Sequence, residues 1–210
     1  MPNWCFNSVT ITGDTDKVTS LGNRIKIISQ DKDLRDGLFL SLIGKSSDVT
    51  DKEYDEGGWY NSNIDNWGTK WDVSVSESVQ DIQSDCIVLS FESAWSPPVE
   101  AFKSIASKYG VEVEMYYEEC GSDFCGKTLI DANGDSNEED YEYQHGIYVF
   151  EGFNEWYNRE FESNKEYLIE TMEDDGSTPE EILSDWYGFL SEEEIKECAN
   201  DLRSETGQQQ

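Results

Sequence analysis

Positive charge is what this chain has least of. Only 15 lysines and arginines stand against 46 aspartates and glutamates, a net charge of −31. Proteins hold nucleic acid largely through lysine and arginine contacts to phosphate, so the shortage argues against nucleic acid as a direct ligand. An anionic membrane surface is disfavoured on the same ground, and a basic protein is the favoured partner. Histidine is reduced to one residue, His145, which leaves Ser-His or Cys-His catalysis resting on a single side chain with no supporting motif. No apolar run approaches the roughly 20 residues that cross a bilayer, and none near the N-terminus has the make-up of a signal peptide. The five cysteines, Cys5, Cys86, Cys120, Cys125 and Cys198, are an odd count without a Cys-x-x-Cys pair. Reduced thiols and a cytoplasmic location, that of a host cell, are the expectation.

Specific metal patterns fail on inspection. Cys120 and Cys125 have the spacing that opens a plant-type iron–sulfur motif, but Thr128 stands where the third cysteine is required. Asp131, Asn133, Asp135, Asn137, Glu139 and Glu142 fall on the ligand positions of an EF-hand loop, with Ser136 in place of the glycine that makes its sharp turn and strand-like sequence ahead of it. A solvated acidic turn is the simpler reading. No metal and no cofactor are expected, and with 46 acids no pair of carboxylates stands out as catalytic.

Apolar and aromatic residues are present in sufficient number, at 36% and 13%, to build a core. The chain is read around one stretch, Asn66-Trp67-Gly68-Thr69-Lys70-Trp71-Asp72, and its echo at Ala94–Pro98. Two tryptophans four apart are either a packed joint or an exposed aromatic contact surface. Lys70 between them has a plain reading, a cation–π or ion-pair contact with Trp71 or Asp72, and a functional one, a hook for an anion.

In order, residues 4–12 read as a strand ended by Gly13, and about 16–29 as a helix with Val18, Leu21, Ile25 and Ile28 on one face. Residues of about 30–70 read as an insertion, with a polar loop over 45–58 and a turn or short helix carrying Trp59, Ile64, Trp67 and Trp71 over one edge of the core. Residues 72–78 alternate valine with serine and pair, after a turn at 80–85, with a strand over 86–91. Trp95-Ser96-Pro97-Pro98 ends that strand and opens a helix with Val99, Phe102, Ile105, Ala106 and Tyr109, stopped by Gly110. Val111, Val113, Met115 and Tyr117 alternate with polar residues as a half-buried strand, and 124–130 is read as one more. This order predicts an α+β ferredoxin-like split βαβ sandwich, an antiparallel sheet covered by two helices.

The opening Met1-Pro2-Asn3-Trp4-Cys5, the Asn66–Asp72 run and the Phe91–Pro98 run resemble the YubB-like family of plasmid and phage proteins. The resemblance covers about residues 1–130. It implies a ferredoxin-like domain and an origin on a mobile element, and no activity, catalytic residue or iron–sulfur cluster.

Residues 131–210 read as an acidic helical addition. From Val111 onward there are 29 acidic and 5 basic residues, against 17 and 10 before it. Phe153, Trp156, Tyr157, Phe161, Leu168 and Met172 give an apolar stripe, and Glu155, Glu162, Glu166, Glu170 and Glu173 line the other side, with Asp174 and Asp175 at the end. Helices also start at Ser177-Thr178-Pro179 and Ser191, with Ile195, Cys198, Ala199 and Leu202 as the buried side of the last, and the Gln208–Gln210 tail is expected to fray. The functional expectation is a non-enzymatic acidic binding protein, a nucleic-acid mimic on those seven carboxylates that inhibits a basic host nuclease or defence factor. It would be weakened by charge reversal at Glu162 and Glu166. The alternatives are a soluble accessory domain, or an enzyme with a pocket near Trp67, Lys70, Trp71 and Asp72.

Overall fold

The computed structural model describes residues 3–30, 37–45 and 49–207. Met1 and Pro2 of the opening run, parts of the expected insertion (31–36 and 46–48) and the Gln208–Gln210 tail lie outside the described residues. The chain divides into two compact units, Met1–Tyr141 and Glu142–Gln210.

The first unit begins with strand β1 (Trp4–Thr12) and helix α1 (Thr15–Gln30). The short helices α2 (Leu38–Leu42) and α3 (Asp51–Glu53), a kinked stretch Tyr54–Gly58, helix α4 (Trp59–Trp67) and the helical turn α5 (Val75–Ser78) follow. Next come β2 (Val79–Ile82), β3 (Cys86–Ala94), helix α6 (Val99–Tyr109), β4 (Glu112–Glu119), β5 (Phe124–Ile130) and β6 (Ser136–Tyr141). The sheet is six-stranded in the order β2-β3-β1-β4-β5-β6, and each neighbouring pair is antiparallel. Its first four strands, with α1 and α6 as the crossovers, are the ferredoxin-like plan.

Period-two alternation decides which face of the sheet is covered. Cys5, Val9 and Ile11 of β1, Ile87, Leu89 and Phe91 of β3, and Val113, Met115 and Tyr117 of β4 share one core with Val18, Leu21 and Ile25 of α1 and Phe102 and Ile105 of α6. Phe91 stacks on Phe102 at 6.1 Å between ring centroids, and Phe39 of α2 meets Phe102 edge-on at 5.9 Å. Burial of each such ring contributes about 1.5–3 kcal/mol.

Three local expectations are corrected. The valine–serine run at 72–78 is not a strand, because Ser78 returns both its N–H (3.1 Å) and its hydroxyl to the Ser74 carbonyl and closes a helical turn. The hairpin partner of β3 is displaced to Val79–Ile82, with a register shift between Val79 and Asp81. The polar loop over 45–58 contains a capped helix: Thr50 and Glu53 form a reciprocal capping box, the Thr-x-x-Glu signature of a helix start. The acidic stretch after Ile130 turns only over Asp131–Asp135 and then becomes β6, so the sheet continues past the point where the sequence closed it.

The second unit is helical: α7 (Tyr143–Glu151), which has no counterpart in the sequence reading, α8 (Phe153–Trp156), a π-turn over Tyr157–Phe161, α9 (Glu162–Asp175), α10 (Pro179–Trp186) and α11 (Glu192–Glu205). Its core gathers Ile147, Trp156, Phe161, Leu168, Ile182, Leu183, Tyr187 and Leu202, with Cys198 and Ala199 of the last helix. Trp156 and Phe161 are five apart, which on a regular α-helix would set them about 140° from each other. The π-turn, with its i to i+5 period, brings both indole and phenyl inward, 6.1 Å apart. Capping boxes at Thr178/Glu181 and Ser191/Glu194 start α10 and α11. Among the described residues no helix is long and apolar enough to cross a membrane.

Candidate functional site

The stretch 66–72 alternates buried anchors with exposed groups. Trp67, the last residue of α4, is 1% exposed and donates its indole N–H to the Gly44 carbonyl (3.0 Å), which Asn66 also caps (3.0 Å). Gly68 ends the helix at φ +79°, and a Cβ there would lie 3.3 Å from the Pro97 carbonyl oxygen. This is where the 66–72 and 94–98 runs meet. Ser96 donates to the Gly68 carbonyl (2.6 Å), and Thr69, fully buried, donates to the Ala94 carbonyl (3.1 Å).

Lys70 comes next. Asn63 donates to its carbonyl (2.9 Å), which fixes the backbone. Its ammonium lies 4.6 Å from the centroid of Trp71, 4.7 Å from Trp95 and 5.8 Å from Tyr60. All three are within cation–π range. Trp4 of β1 backs Trp71 at 6.0 Å. These rings remain open to solvent: Trp4 is 47% exposed, Trp95 43%, Tyr60 40% and Trp71 38%. Trp95 holds φ +70°, a left-handed conformation rare for a large side chain. It is kept there by its N–H bond to the Asn3 carbonyl (3.0 Å) and by Ser93, which donates to the Ser96 carbonyl (2.8 Å). Such strain persists only where the surroundings impose it.

Asp72 turns the other way. Its carboxylate accepts from the Phe39 and Leu40 N–H groups (both 2.8 Å) at the start of α2 and from Val73 (2.8 Å). A Cβ on Gly37 would run into the Asp72 carboxylate, so a larger residue there would have to displace this cap. The four residues expected as one pocket are therefore divided: Trp67 belongs to the core, Asp72 to a helix start, and Lys70 and Trp71 to an exposed cluster completed by Trp4, Tyr60 and Trp95. The sequence reading placed Trp4 in the first strand and Trp95 at the end of the strand over 86–91, and put neither in a site. The β1–β3 register, in which Trp4 faces Ala94, brings Trp4 to the place where the 66–72 and 94–98 runs meet.

The seven carboxylates of the second unit are all exposed. Glu162, Glu166, Glu170 and Glu173 share one side of α9, while the π-turn rotates Glu155 off that row by about 100°. Glu162 is engaged by Lys165 (2.7 Å), which also pairs with Asp201. Hydrogen bonds and charge from Lys165 hold the Asp201 carboxyl below its usual range. Asp175 is lowered by Ser177 and Glu181 by Thr178, both through hydrogen bonds at the α10 start.

Titratable groups elsewhere have structural partners. Burial pushes the Cys5 and Cys198 thiols up to about 12, so neither is a thiolate at neutral pH. His145 lies flat on Phe189, 4.9 Å between centroids. The EF-hand positions do not converge: Asp131 accepts from the Asn133 (2.8 Å) and Asp135 (3.0 Å) N–H groups, and Asn137 and Glu139 run along β6. Among the described residues, no group of three or more His, Cys, Asp or Glu side chains is placed to hold a metal ion.

No curated protein matches the chain. The fold resembles the crystal structure of a protein Api92 from Yersinia pseudotuberculosis at 11% identity and a TM-score of 0.41, over 66% of this chain and 98% of that one. Residues 66–162, beginning at the tryptophan run itself, match the family model described as a ferredoxin-like domain in Api92-like proteins.

Proposed function

We propose that the chain is a non-enzymatic acidic binding protein of a phage or plasmid. Acting in the host cytoplasm, it occupies the nucleic-acid groove of a basic host protein, a nuclease or other defence factor. The observation that supports this reading is the row on α9. Its opposite side is buried in the core through Leu168 and Met172, with Phe161 just before it, so Glu162, Glu166, Glu170 and Glu173 rise from a helix anchored along its length. At 1.5 Å per residue the row spans about 16 Å, a length along which one strand of B-DNA presents roughly five phosphates. Four carboxylates, one offset by Lys165, are a sparser array. Asp174 and Asp175 at the helix end extend it, and the unit as a whole carries 19 acidic and 4 basic residues.

The mimic acts by electrostatic complementarity, which sets association rate and salt dependence more than it sets final affinity. Its test is retention of host proteins on the immobilised chain at low salt and at about 0.5 M, where the Debye length falls below 5 Å. Glu166→Lys/Glu170→Lys is the informative variant, because reversal at Glu162 would also break the Lys165 bridge. The expected result is one basic nucleic-acid-binding protein, retained at low salt, released by added duplex DNA and by salt, and lost in the variant. Equal retention by parent and variant would remove the row from the mechanism.

A further inference from the structure

The exposed cluster around Lys70 is unrelated to the acidic row and carries its own chemistry. Among the described residues, no carboxylate lies within ion-pair distance of the Lys70 ammonium, in a chain with 46 of them. Its charge is instead held by the faces of Trp71, Trp95 and Tyr60. Ring faces attract the cation but accept none of its N–H groups as a carboxylate would, so no carboxylate of the described residues competes with a partner for those donors. Holding a long, freely rotating side chain in one place costs entropy, and that cost is already met here before any ligand arrives. Around it lie four aromatic rings, each between a third and a half exposed, and one of them sits on a strained backbone. Tryptophan, tyrosine and a cation in one patch are the composition of an interface anchor.

We propose that Lys70 with Trp4, Tyr60, Trp71 and Trp95 is a docking site for a protein segment that presents a carboxylate beside an apolar side chain. The carboxylate accepts from the Lys70 ammonium and the apolar group lies on the indoles. A protein segment fits better than a small molecule, because the rings spread over β1, α4 and the two loops and stay open, whereas small ligands need concave sites that cover most of their surface. The unspent positive charge selects the sign of the partner group. The chain's net negative charge acts at longer range and is screened beyond about 8 Å at physiological salt, so it does not cancel a contact made within hydrogen-bonding distance.

The test uses the full chain and a capped pentapeptide, acetyl-Gly-Phe-Glu-Phe-Gly-amide, with Gln and Lys versions of its centre, followed by the indole N–H resonances of the protein. The Glu peptide is expected to shift the Trp71 and Trp95 signals and to bind about fivefold more tightly than the Gln peptide, the size of a half-exposed charge contact. Lys70→Gln should erase that preference while leaving the weak common affinity of the two peptides, which is the coupling a double-mutant cycle reads. Trp95→Gly should weaken the Glu peptide at least about tenfold, as loss of an aromatic anchor does. It should leave the fold intact, because glycine accepts the left-handed angle that Trp95 strains to hold. The proposal is overturned by any of three results: no shift of these signals up to about 5 mM peptide, equal binding of Glu and Gln peptides, or tighter binding of the Lys peptide. None of these outcomes bears on the acidic row, whose variant leaves residues 3–141 untouched.

Discussion

The two units carry almost the same net charge, −16 on 141 residues and −15 on 69, which together make up the −31 of the chain. They use their carboxylates differently. In the first unit several acids are fixed one by one to backbone N–H groups: Asp72 at the start of α2, Asp131 in the β5–β6 turn, and Glu119, which accepts from the Gly121 N–H at 2.7 Å. In the second, Glu181 and Glu194 close capping boxes, while Glu166, Glu170 and Glu173 stand in a row facing water. A count of acids therefore says little about what they do. Asp72, Asp131 and Glu119 hold the loops of their own unit, and Glu166, Glu170 and Glu173 stand exposed along one side of α9.

The comparison can be broken at several points. The largest effect is expected from Trp156→Ala, which empties the centre of the second core and should cost about 3–5 kcal/mol. If the units are separate cooperative bodies, amide signals of 142–207 collapse while those of 3–141 keep their positions, and simultaneous loss of both sets would show one cooperative body. Asp72→Ala should come next. It strips the acceptor from two N–H groups of α2, at about 1–3 kcal/mol, whereas Glu170→Ala on the open row should stay within about 0.5 kcal/mol. Equal denaturant midpoint shifts for these two would erase the distinction drawn between fixed and free carboxylates. Ser191→Ala removes the N-cap of α11 and is expected to cost about 1 kcal/mol, read as a lower midpoint of the second unit only.

The smallest effect is a pH dependence. Burial raises the Glu194 carboxyl, but hydrogen bonds from Ser191 and Tyr148 outweigh it and hold the group below its ordinary 4.5. A folded value below the unfolded one contributes stability that is fully present above about pH 4.5 and lost as the pH falls through the folded value. The stability gap between parent and Glu194→Gln should thus narrow in acid, and a gap constant down to about pH 3 would mean that the carboxylate's charge plays no part.

The ferredoxin-like order was legible because all but one of its elements carried their own signal: β-branched strands, apolar residues three and four apart in α1 and α6, and glycine at the end of α6. The hairpin before β3 was misplaced because valine–serine alternation suits a strand by period, and only the return of Ser78 to Ser74 shows that the serines close a turn instead. Strand β6 was hidden because Asn137, Glu138, Glu139 and Asp140 have low strand propensity, and its pairing is set by the neighbour β5. At the Lys70 cluster the sequence supplied Lys70 and Trp71. It could not supply Tyr60 and Trp95 as further walls, since those distances depend on a strand register and a left-handed residue. The π-turn at 157–161 was equally invisible, and it is what sets Glu155 apart from the row.

Strand β6 is one of the two end strands of the sheet, the other being β2, and an end strand whose N–H and C=O groups are left without a neighbour invites another chain to add itself. Here the last strand carries Glu138, Glu139 and Asp140 in succession, so an approaching copy would meet its own charges, a built-in guard against stacking into fibres. Of these, Glu138 is partly answered by Lys103 (3.3 Å) and Asp140 accepts from the buried Tyr117 hydroxyl (2.5 Å).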